Sequence, residues 1–343
     1  MLMSEIVVEQ PFGVYEGKAV SAYRLSNANG LVARLTNFGA RLIAMMVPDR
    51  DGISADVVLG FDDLAAYAES NSYFGATCGR YGNRIKRGRF VLGGRPIDVS
   101  RNDGPNHLHG GFKGFDRQIW DGEIDQAENS ISFSLVSEDG DEGFPGRLVA
   151  RSKYCLTDDD RLIITMTASS DQETVVNLVH HSYWNLAGHD SGDVLDQLLQ
   201  VNAGFYTPVD DELIPTGEIL AVAGTAFDFR EEKAIGREGG RYDHNWIISD
   251  FGPGLRPVAA LHDPKSGRTM ELRSSEPGVQ IYTAGYIDPP VVGKGGQLYR
   301  RYSGVTFETQ KFPDSPNFAH FPDARLQPGE VYEHCMEIRF LVR

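Results

Sequence analysis

Two histidines separated by one residue form the first segment of the chain that could do chemistry. In Asn106-His-Leu-His-Gly-Gly, His107 and His109 would share a face on an extended strand, where two imidazoles could chelate a metal. A carboxylate three or four residues further on would complete such a site, but Phe112 and Lys113 occupy those positions. We therefore favour a substrate contact, and His109 is the better candidate because the glycines after it allow a ligand to approach closely. The alternative is a turn whose histidines face solvent.

A second segment, Asn177-Leu-Val-His-His-Ser-Tyr-Trp-Asn-Leu, carries two adjacent histidines. Neighbouring residues on a strand point to opposite faces, so we expect at most one of these imidazoles to enter a pocket. A face with an imidazole, a phenol and an amide is typical of a site, although a buried structural histidine is an equally good interpretation. The alternation predicts two faces, with His181, Tyr183 and Asn185 on one and His180, Ser182 and Trp184 on the other.

The third segment, Gly304-Val-Thr-Phe-Glu-Thr-Gln, places a carboxylate on the polar face of a predicted strand. Val305 and Phe307 alternate there with Thr306 and Glu308. On an exposed face Glu308 would be an ordinary surface carboxylate. In a concave sheet it would be a candidate general base whose pKa depends on its burial. The alternation does not decide between these two interpretations.

Three further positions carry side chains that suit hydroxyl groups, but each is a weak signal alone. Asn83 and Arg84 offer an amide and a guanidinium that could bind a ligand or fix a loop. Asp243 lies beside aromatic residues in Tyr242-Asp-His-Asn-Trp, and Gln280 alternates with apolar neighbours on another predicted strand.

The elements that must position these side chains are predicted to be short β-strands. Glycine, 38 of 343 residues, lies at intervals between runs that alternate apolar and polar residues. One short helix is predicted over 62–70, with Asp62 or Asp63 as its cap. Many strands and no internal repeat indicate an all-β sandwich or barrel, formed as a single domain over residues 1–343. The clearest alternating runs begin at Ile131, Leu162, Val279, Val305 and Met336.

Charge and composition argue against several classes of function. Lys+Arg 33 minus Asp+Glu 48 gives a net charge of −15, which argues against a nucleic-acid partner, an anionic membrane or a phosphorylated substrate. Neutral sugars meet no such penalty. Three scattered cysteines predict neither a disulfide framework nor a thiolate zinc site. The start of the chain lacks a secretory signal pattern, and no apolar run approaches the roughly 20 residues of a membrane span. We therefore expect a cytoplasmic protein.

Several motifs also follow one another in a characteristic order. They are Asn83-Arg84, Leu108-His-Gly-Gly, His181-Ser-Tyr-Trp-Asn-Leu, Tyr206-Thr-Pro-Val-Asp, Leu213-Ile-Pro-Thr-Gly, Phe227-Asp, Asp243-His-Asn, Pro277-Gly-Val-Gln and Glu308-Thr-Gln. In this order they resemble the galactose mutarotase (aldose 1-epimerase) family, from about Phe12 to the C-terminus. The resemblance implies a large antiparallel β-sandwich with few short helices and a sugar site on a concave sheet.

The same resemblance implies an isomerase that interconverts the α and β anomers of free aldohexoses such as galactose or glucose. It implies His181 as the general acid and Glu308 as the general base, with no cofactor and no metal. The expected partner is a monosaccharide, and the expected assembly is a monomer or homodimer. The residues implied in sugar binding are Asn83, Arg84, His109, Tyr183, Asp243 and Gln280.

One pair of residues departs from the family pattern, and the role of one further segment is not predicted. Val179-His180 stand where the family commonly has Thr-Asn, so His180 could replace the motif histidine, although the intact motif that follows favours His181. The segment 285–299, with Pro289-Pro290, is predicted to be a loop that could shape substrate choice.

Other functions remain as alternatives. One is a sugar-binding relative that does no chemistry, and another is a mutarotase for a different aldose or for hexose 6-phosphates. A cupin-like metal enzyme is the third. The preferred aldose is not predicted, because common aldoses differ by single hydroxyls.

Overall fold

The computed structural model describes residues 7–250, 252 and 254–343. Residues 1–6, which contribute to the prediction that no secretory signal is present, lie outside this range. Strands dominate the described residues, and three antiparallel sheets contain most of them. This architecture confirms the predicted all-β class.

Helical segments are short and lie between the strands. The predicted helix over 62–70 is confirmed as Leu64–Glu69, capped by Asp63, whose Oδ1 accepts a hydrogen bond from the Ala66 amide at 2.9 Å. No helix in the described part of the chain has the length and apolar character needed to cross a membrane. The 3₁₀ turns are Lys86–Gly88, Phe115–Arg117, Asp141–Gly143, Ile235–Glu238, Lys294–Gly296 and Ser315–Asn317.

The first sheet has five strands that follow one another in sequence order. Each strand pairs antiparallel with the next through a short connection. In order they are Val7–Tyr15, Lys18–Ser26, Val32–Thr36, Arg41–Pro48 and Ser54–Asp56.

The second sheet has nine strands and is the widest of the three. Its strands come from the middle and the end of the chain, and the last strand of the chain lies at the centre of the sheet. In spatial order they are Asp121–Asp125, Ser130–Ser137, Leu148–Leu156, Arg161–Ser170, Tyr332–Val342, Arg268–Ser274, Arg256–His262, Leu198–Val201 and Lys233–Ala234.

The third sheet has six strands and carries four of the polar residues singled out above: Tyr183, Asp243, Gln280 and Glu308. In spatial order they are Tyr183–Trp184, Val305–Gln310, Gly278–Tyr282, Asp243–Ile248, Ala203–Thr207 and Leu220–Ala221. Five two-stranded pairs complete the fold: Arg84–Ile85 with His107–Leu108, Arg89–Leu92 with Arg95–Asp98, Ala76–Cys78 with Val179–His181, Thr174–Val175 with Arg325–Leu326, and Val291–Val292 with Leu298–Tyr299.

The main hydrophobic core joins these sheets. From the six-stranded sheet, Trp246, Val279 and Phe307 enter the same buried cluster as Leu272 and Ile338 of the nine-stranded sheet. Because side chains alternate along a strand, burying one face of the six-stranded sheet turns its intervening polar residues to the other face. That second face forms the floor of the site described next.

Candidate active site

Strand register places a carboxylate and two amides side by side on the polar face of the six-stranded sheet. Gln280 is the cross-strand partner of Glu308 on one side and of Asn245 on the other. This row is closely packed around Gly278, where a Cβ would lie 2.5 Å from Asn245 Oδ1. Of the two interpretations of Glu308, the structure therefore supports the carboxylate on an enclosed sheet face over the exposed one.

His181 reaches the same face from a neighbouring strand pair. Its backbone pairs with Ala76, and its Nε2 lies 3.3 Å from Glu308 Oε1. Both side chains are almost fully buried, at 3% exposure for His181 and 2% for Glu308. The same Glu308 oxygen accepts a hydrogen bond from Thr306 Oγ1 at 2.8 Å. The two residues predicted to act as acid and base are thus in direct contact.

Burial moves the proton affinities of this pair in opposite directions. Loss of hydration raises the pKa of Glu308 from 4.5 to about 8, against a smaller lowering by the Thr306 hydrogen bond. Loss of hydration lowers the pKa of His181 from 6.5 to about 4. At neutral pH the buried carboxyl therefore holds a proton and the buried imidazole is neutral.

His109 is fixed in one tautomer by the backbone of the preceding loop. Its Nδ1 accepts a hydrogen bond from the Asn83 amide at 3.1 Å, so the neutral ring carries its hydrogen on Nε2. Burial keeps the ring neutral by lowering its pKa well below 6.5. The next residue, Gly110, has φ +94°, and a Cβ there would lie 1.7 Å from the Gly79 carbonyl oxygen. The glycine after His109 is thus required by backbone packing.

Three residues could form a metal site by distance, but their chemistry fits hydrogen bonding better. Ligand atoms of His109, His181 and Glu308 lie within 4.8 Å of one another. A metal on His109 Nε2 would require the hydrogen to move to Nδ1, where it would face the N–H of Asn83. The donor set therefore disfavours a metal.

Arg84, Asp243 and Gln280 also face this site. Arg84 donates from Nε to Asp103 Oδ2 at 2.9 Å, and its Nη groups make no hydrogen bond to the described residues. Gln280 Nε2 donates to Asp243 Oδ1 at 2.7 Å. These contacts hold charged and polar groups beside Glu308.

Asn83 is engaged more fully than the sequence predicts. Its Oδ1 accepts from the Arg84 amide at 2.9 Å, and its Nδ2 donates to Gln310 Oε1 at 3.5 Å. Its backbone N–H also binds His109. Asn83 lines the cavity, but much of its bonding capacity is used within the protein.

A cavity of about 610 Å³ lies over these groups. Within the described structure, three buried atoms around it have no hydrogen-bond partner: His181 Nδ1, Gln280 Oε1 and Glu308 Oε2. Buried polar atoms are rarely left unpaired, so unpaired ones at a cavity indicate a place for a polar ligand. All eight predicted site residues surround this cavity or bond directly at its floor: Asn83, Arg84, His109, His181, Tyr183, Asp243, Gln280 and Glu308.

His180 lies on the opposite side of its strand and points into the core. Its Nε2 bonds Ser182 Oγ at 2.7 Å, and its Nδ1 bonds Tyr154 Oη at 3.2 Å. His180 therefore has a structural environment and no access to Glu308. His107 is likewise buried and bonded to the Ser100 carbonyl, so the alternative of solvent-facing histidines is wrong for both histidines of its segment.

Asn185 does not share the site face with His181 and Tyr183, and that prediction is wrong. Its Nδ2 donates to the carbonyls of Gly192 and Ser303 at 3.1 and 3.0 Å. The strand that carries His181 ends at that residue, and Tyr183–Trp184 belongs to another sheet. A single alternation therefore does not run through the whole segment.

Several residues of the cavity wall were missed by the sequence analysis. Tyr73, Tyr282 and Tyr286 line it, together with the polar run 70–72. Residues 286–291 of the segment 285–299 also line the cavity. The prediction that this whole segment is a loop is wrong, because Val291–Val292 and Leu298–Tyr299 pair as short strands within it. Tyr282 could have been found, because it alternates with Ile281 on the same strand as Gln280. Tyr73 carries no comparable signal.

Comparison with known proteins relates the chain to one family. A family model described as aldose 1-epimerase matches residues 21–339. A galactose mutarotase of Bos taurus is 42% identical over 313 residues, which cover 90% of each chain. An aldose 1-epimerase of Escherichia coli K12 is 34% identical over 344 residues, covering 97% of this chain and 99% of that protein. The crystal structure of a GalM/aldose epimerase homologue from C. elegans superposes with a TM-score of 0.87 at 32% identity, covering 93% of this chain and 98% of that one.

Proposed function

The chain belongs to the aldose 1-epimerase family, and on this premise we propose that it interconverts the α and β anomers of a free aldose such as galactose or glucose. In this proposal His181 is the general acid and Glu308 the general base. The observation that carries it is the buried contact of 3.3 Å between His181 Nε2 and Glu308 Oε1 at the floor of a polar cavity.

The reaction needs two proton transfers and no change of oxidation state. Glu308 removes the proton of the C1 hydroxyl, and the electrons of that O–H bond form the C1 carbonyl. The bond between C1 and the ring oxygen breaks, and His181 gives its proton to the ring oxygen. The aldehyde rotates about C1–C2 and closes on its other face with both transfers reversed. The pair therefore ends each cycle with the single proton it began with.

Sugar binding prepares the protonation state that this cycle requires. In the free protein burial favours a protonated Glu308 and a neutral His181. A sugar hydroxyl that donates to the unpaired Glu308 Oε2 replaces lost hydration and stabilises the carboxylate. The proton then moves to His181 across the existing contact. Before the sugar binds, the pair thus already holds the single proton that the cycle needs. Sugar binding determines whether Glu308 or His181 carries it.

The surrounding residues supply hydrogen bonds to a polyol. His109 offers an Nε2–H donor, Arg84 offers its Nη groups, and the Gln280–Asp243 pair offers an amide oxygen and a carboxylate. Asn83 acts mainly by holding His109 and Arg84 in place. Tyr183, whose ring lies 5.2 Å from that of His181, provides an apolar wall.

The charges around the cavity favour a free sugar over a sugar phosphate. Among the described residues that line it, Asp243, Asp288 and Glu308 carry carboxyl groups and Arg84 is the one arginine. A phosphate group would lie among these carboxylates without a cluster of cations to offset repulsion. We therefore propose uncharged aldoses as substrates.

Polarimetry of freshly dissolved α-D-galactose and α-D-glucose tests this function. The reaction proceeds slowly without a catalyst. The protein must therefore make the optical rotation of the solution change faster than in buffer, toward the same final value. Decay at the buffer rate with every common aldose, combined with saturable sugar binding, would instead establish the non-catalytic sugar-binding alternative. Faster decay with a hexose 6-phosphate than with the free sugar would contradict the proposed substrate class.

The other expectations of the sequence analysis are also proposals. We propose one domain over residues 1–343, supported by a core cluster that draws on all three large sheets. A cytoplasmic location is supported by three free cysteines, and a monomer or homodimer stays a proposal.

A further inference from the structure

The imidazole of His181 is held by a hydrogen bond on one side at most. Nε2 contacts Glu308, whereas Nδ1 has no partner within the described structure. A histidine that transfers protons is usually oriented by a hydrogen bond at its second nitrogen. Without one, the ring can turn about its outer side-chain bond, which has a broad torsional preference. Another contact must therefore fix the ring.

Aromatic rings surround His181 in place of that hydrogen bond. Its ring centroid lies 5.7 Å from that of Tyr73 and 5.2 Å from that of Tyr183. His109 meets it edge to face at 4.9 Å. Tyr73 also packs on His109, with centroids 4.7 Å apart. Tyr73 is therefore in contact with both imidazoles.

The backbone of Tyr73 is held in a conformation that bulky residues rarely adopt. Its φ is +54°, in the left-handed region. Its carbonyl accepts from the Ala76 amide at 3.0 Å, and the Gly75 amide donates to the His181 carbonyl at 3.0 Å. The turn that carries Tyr73 is thus tied directly to the backbone of the histidine on which its ring packs.

Two arginines hold the rest of this wall segment. Arg41 Nη1 donates to the Phe74 carbonyl at 3.0 Å. Arg117 donates to the Ser70 carbonyl at 2.9 Å and to Asn71 Oδ1 at 2.6 Å. Asp116, itself buried, lies 3.7 Å from Arg41 and 3.9 Å from Arg117. This network holds the backbone on both sides of Tyr73.

We propose that Tyr73 is a positioning residue, whose ring locks the imidazoles of His181 and His109 in the orientation needed for proton transfer. The inference rests on the proposed function of His181. Because Tyr73 lines the cavity beside His181, we also expect its ring to limit the access of water to the acid–base pair.

The test compares variants that keep or remove the ring. Tyr73→Phe keeps it, and we expect most of the wild-type kcat. Tyr73→Leu removes it, and we expect kcat to fall about 10- to 100-fold, more than KM changes, because a small misplacement of a catalytic group is costly. Tyr73→Asn is the second ring-free variant, since asparagine tolerates a left-handed backbone, and keeps the test open if Tyr73→Leu does not fold.

The pH profile separates positioning from a loss of stability. Water that reaches the pair should raise the pKa of His181 and lower that of Glu308, so both limbs of the profile should move inward in the ring-free variants. Tyr23→Leu is the matched control. Tyr23, in the five-stranded sheet, is buried against Phe133 of the nine-stranded sheet. Loss of its ring should lower the melting temperature without changing kcat or the pH profile.

Three results would overturn the inference. The first is an unchanged kcat in the ring-free variants, and the second is a fall in their kcat with an unchanged pH profile. The third is a fall in the kcat of Tyr73→Phe as large as that of the ring-free variants. Failure of the proposed function is distinguishable, because wild-type protein would then give no acceleration, or His181→Ala would retain it.

Discussion

Glu308 Oε1 lies 3.3 Å from His181 Nε2, and neither side chain has appreciable contact with solvent. A carboxyl and an imidazole at this distance act as one titrating unit, whose apparent pKa values belong to the pair. Burial separates those values, so the pair carries one proton over a wide pH range. Ring opening requires a pair with one proton. The contact therefore connects the buried position of these residues with the chemistry proposed for them.

The first prediction concerns pH. The pair holds one proton between the lowered pKa of His181, about 4, and the raised pKa of Glu308, about 8. We expect kcat/KM to be level across neutral pH and to fall on both sides of this window, where the pair holds two protons or none. Initial rates across buffers of constant ionic strength measure the profile. A single steep rise near the ordinary pKa of a free histidine would contradict the account.

The second prediction concerns stability and is independent of activity. The raised pKa of Glu308, from 4.5 to about 8, means that the folded protein keeps a proton that the unfolded chain loses between these values. The free energy of unfolding should therefore decrease as the pH rises through this window. Glu308→Gln has no such titration, so the margin obtained by subtracting the melting temperature of the wild type from that of Glu308→Gln should grow from about pH 5 to about pH 8.

Thermal unfolding of both proteins at several pH values measures this margin. Glu330→Gln, at an exposed turn, is the control and should follow the wild type. A margin that shrinks as the pH rises would show that Glu308 is not buried as described.

The third prediction concerns sugar binding by Gln280. Gln280→Met keeps the length of the side chain but removes the amide whose Nε2 donates to Asp243, a residue of the cavity wall, and whose buried Oε1 has no partner within the described structure. We expect KM to rise about 10-fold, because a lost hydrogen bond to a polar ligand costs roughly 1–2 kcal/mol, while kcat changes less. Gln327→Met, at an exposed position, should leave both constants unchanged. A fall in kcat alone would contradict a binding role.

The fourth prediction separates the two adjacent histidines. His180→Gln breaks buried hydrogen bonds to Ser182 and Tyr154 and should lower stability by roughly 1–3 kcal/mol. Folded His180→Gln protein should nevertheless retain turnover, because His180 does not face Glu308. Thermal unfolding and polarimetry on the same preparation measure both effects. A stable His180→Gln protein without activity would show that His180 takes part in the chemistry.

The local parts of this structure could be predicted from the sequence. Alternation along Val305–Gln310 correctly separates Glu308 from Val305 and Phe307, because side-chain direction within one strand depends only on position. The same rule fails for Asn185, because the chain leaves one strand pair at His181 and joins another sheet at Tyr183. Alternation therefore predicts side-chain direction only within a single continuous strand.

The contacts that make the site are not local and could not be read from spacing. The pairing of Gln280 with Glu308 depends on strand register, which is determined by packing of the apolar faces across the whole sheet. Tyr73 reaches His181 through a left-handed turn that has no periodic signal. The roles proposed for His181 and Glu308 come from resemblance to a family, and their common burial could be learned only from the structure.

The acid–base roles of His181 and Glu308 are tested by the initial rate of α-D-galactose mutarotation with wild-type protein, His181→Ala, Glu308→Gln and the double variant. Positioned acid–base groups contribute roughly 10²- to 10⁴-fold, so each single variant should lose about that factor while remaining folded. The double variant should lose little more, because the two residues transfer one proton as a unit. A folded His181→Ala or Glu308→Gln protein with turnover close to that of the wild type would contradict these roles.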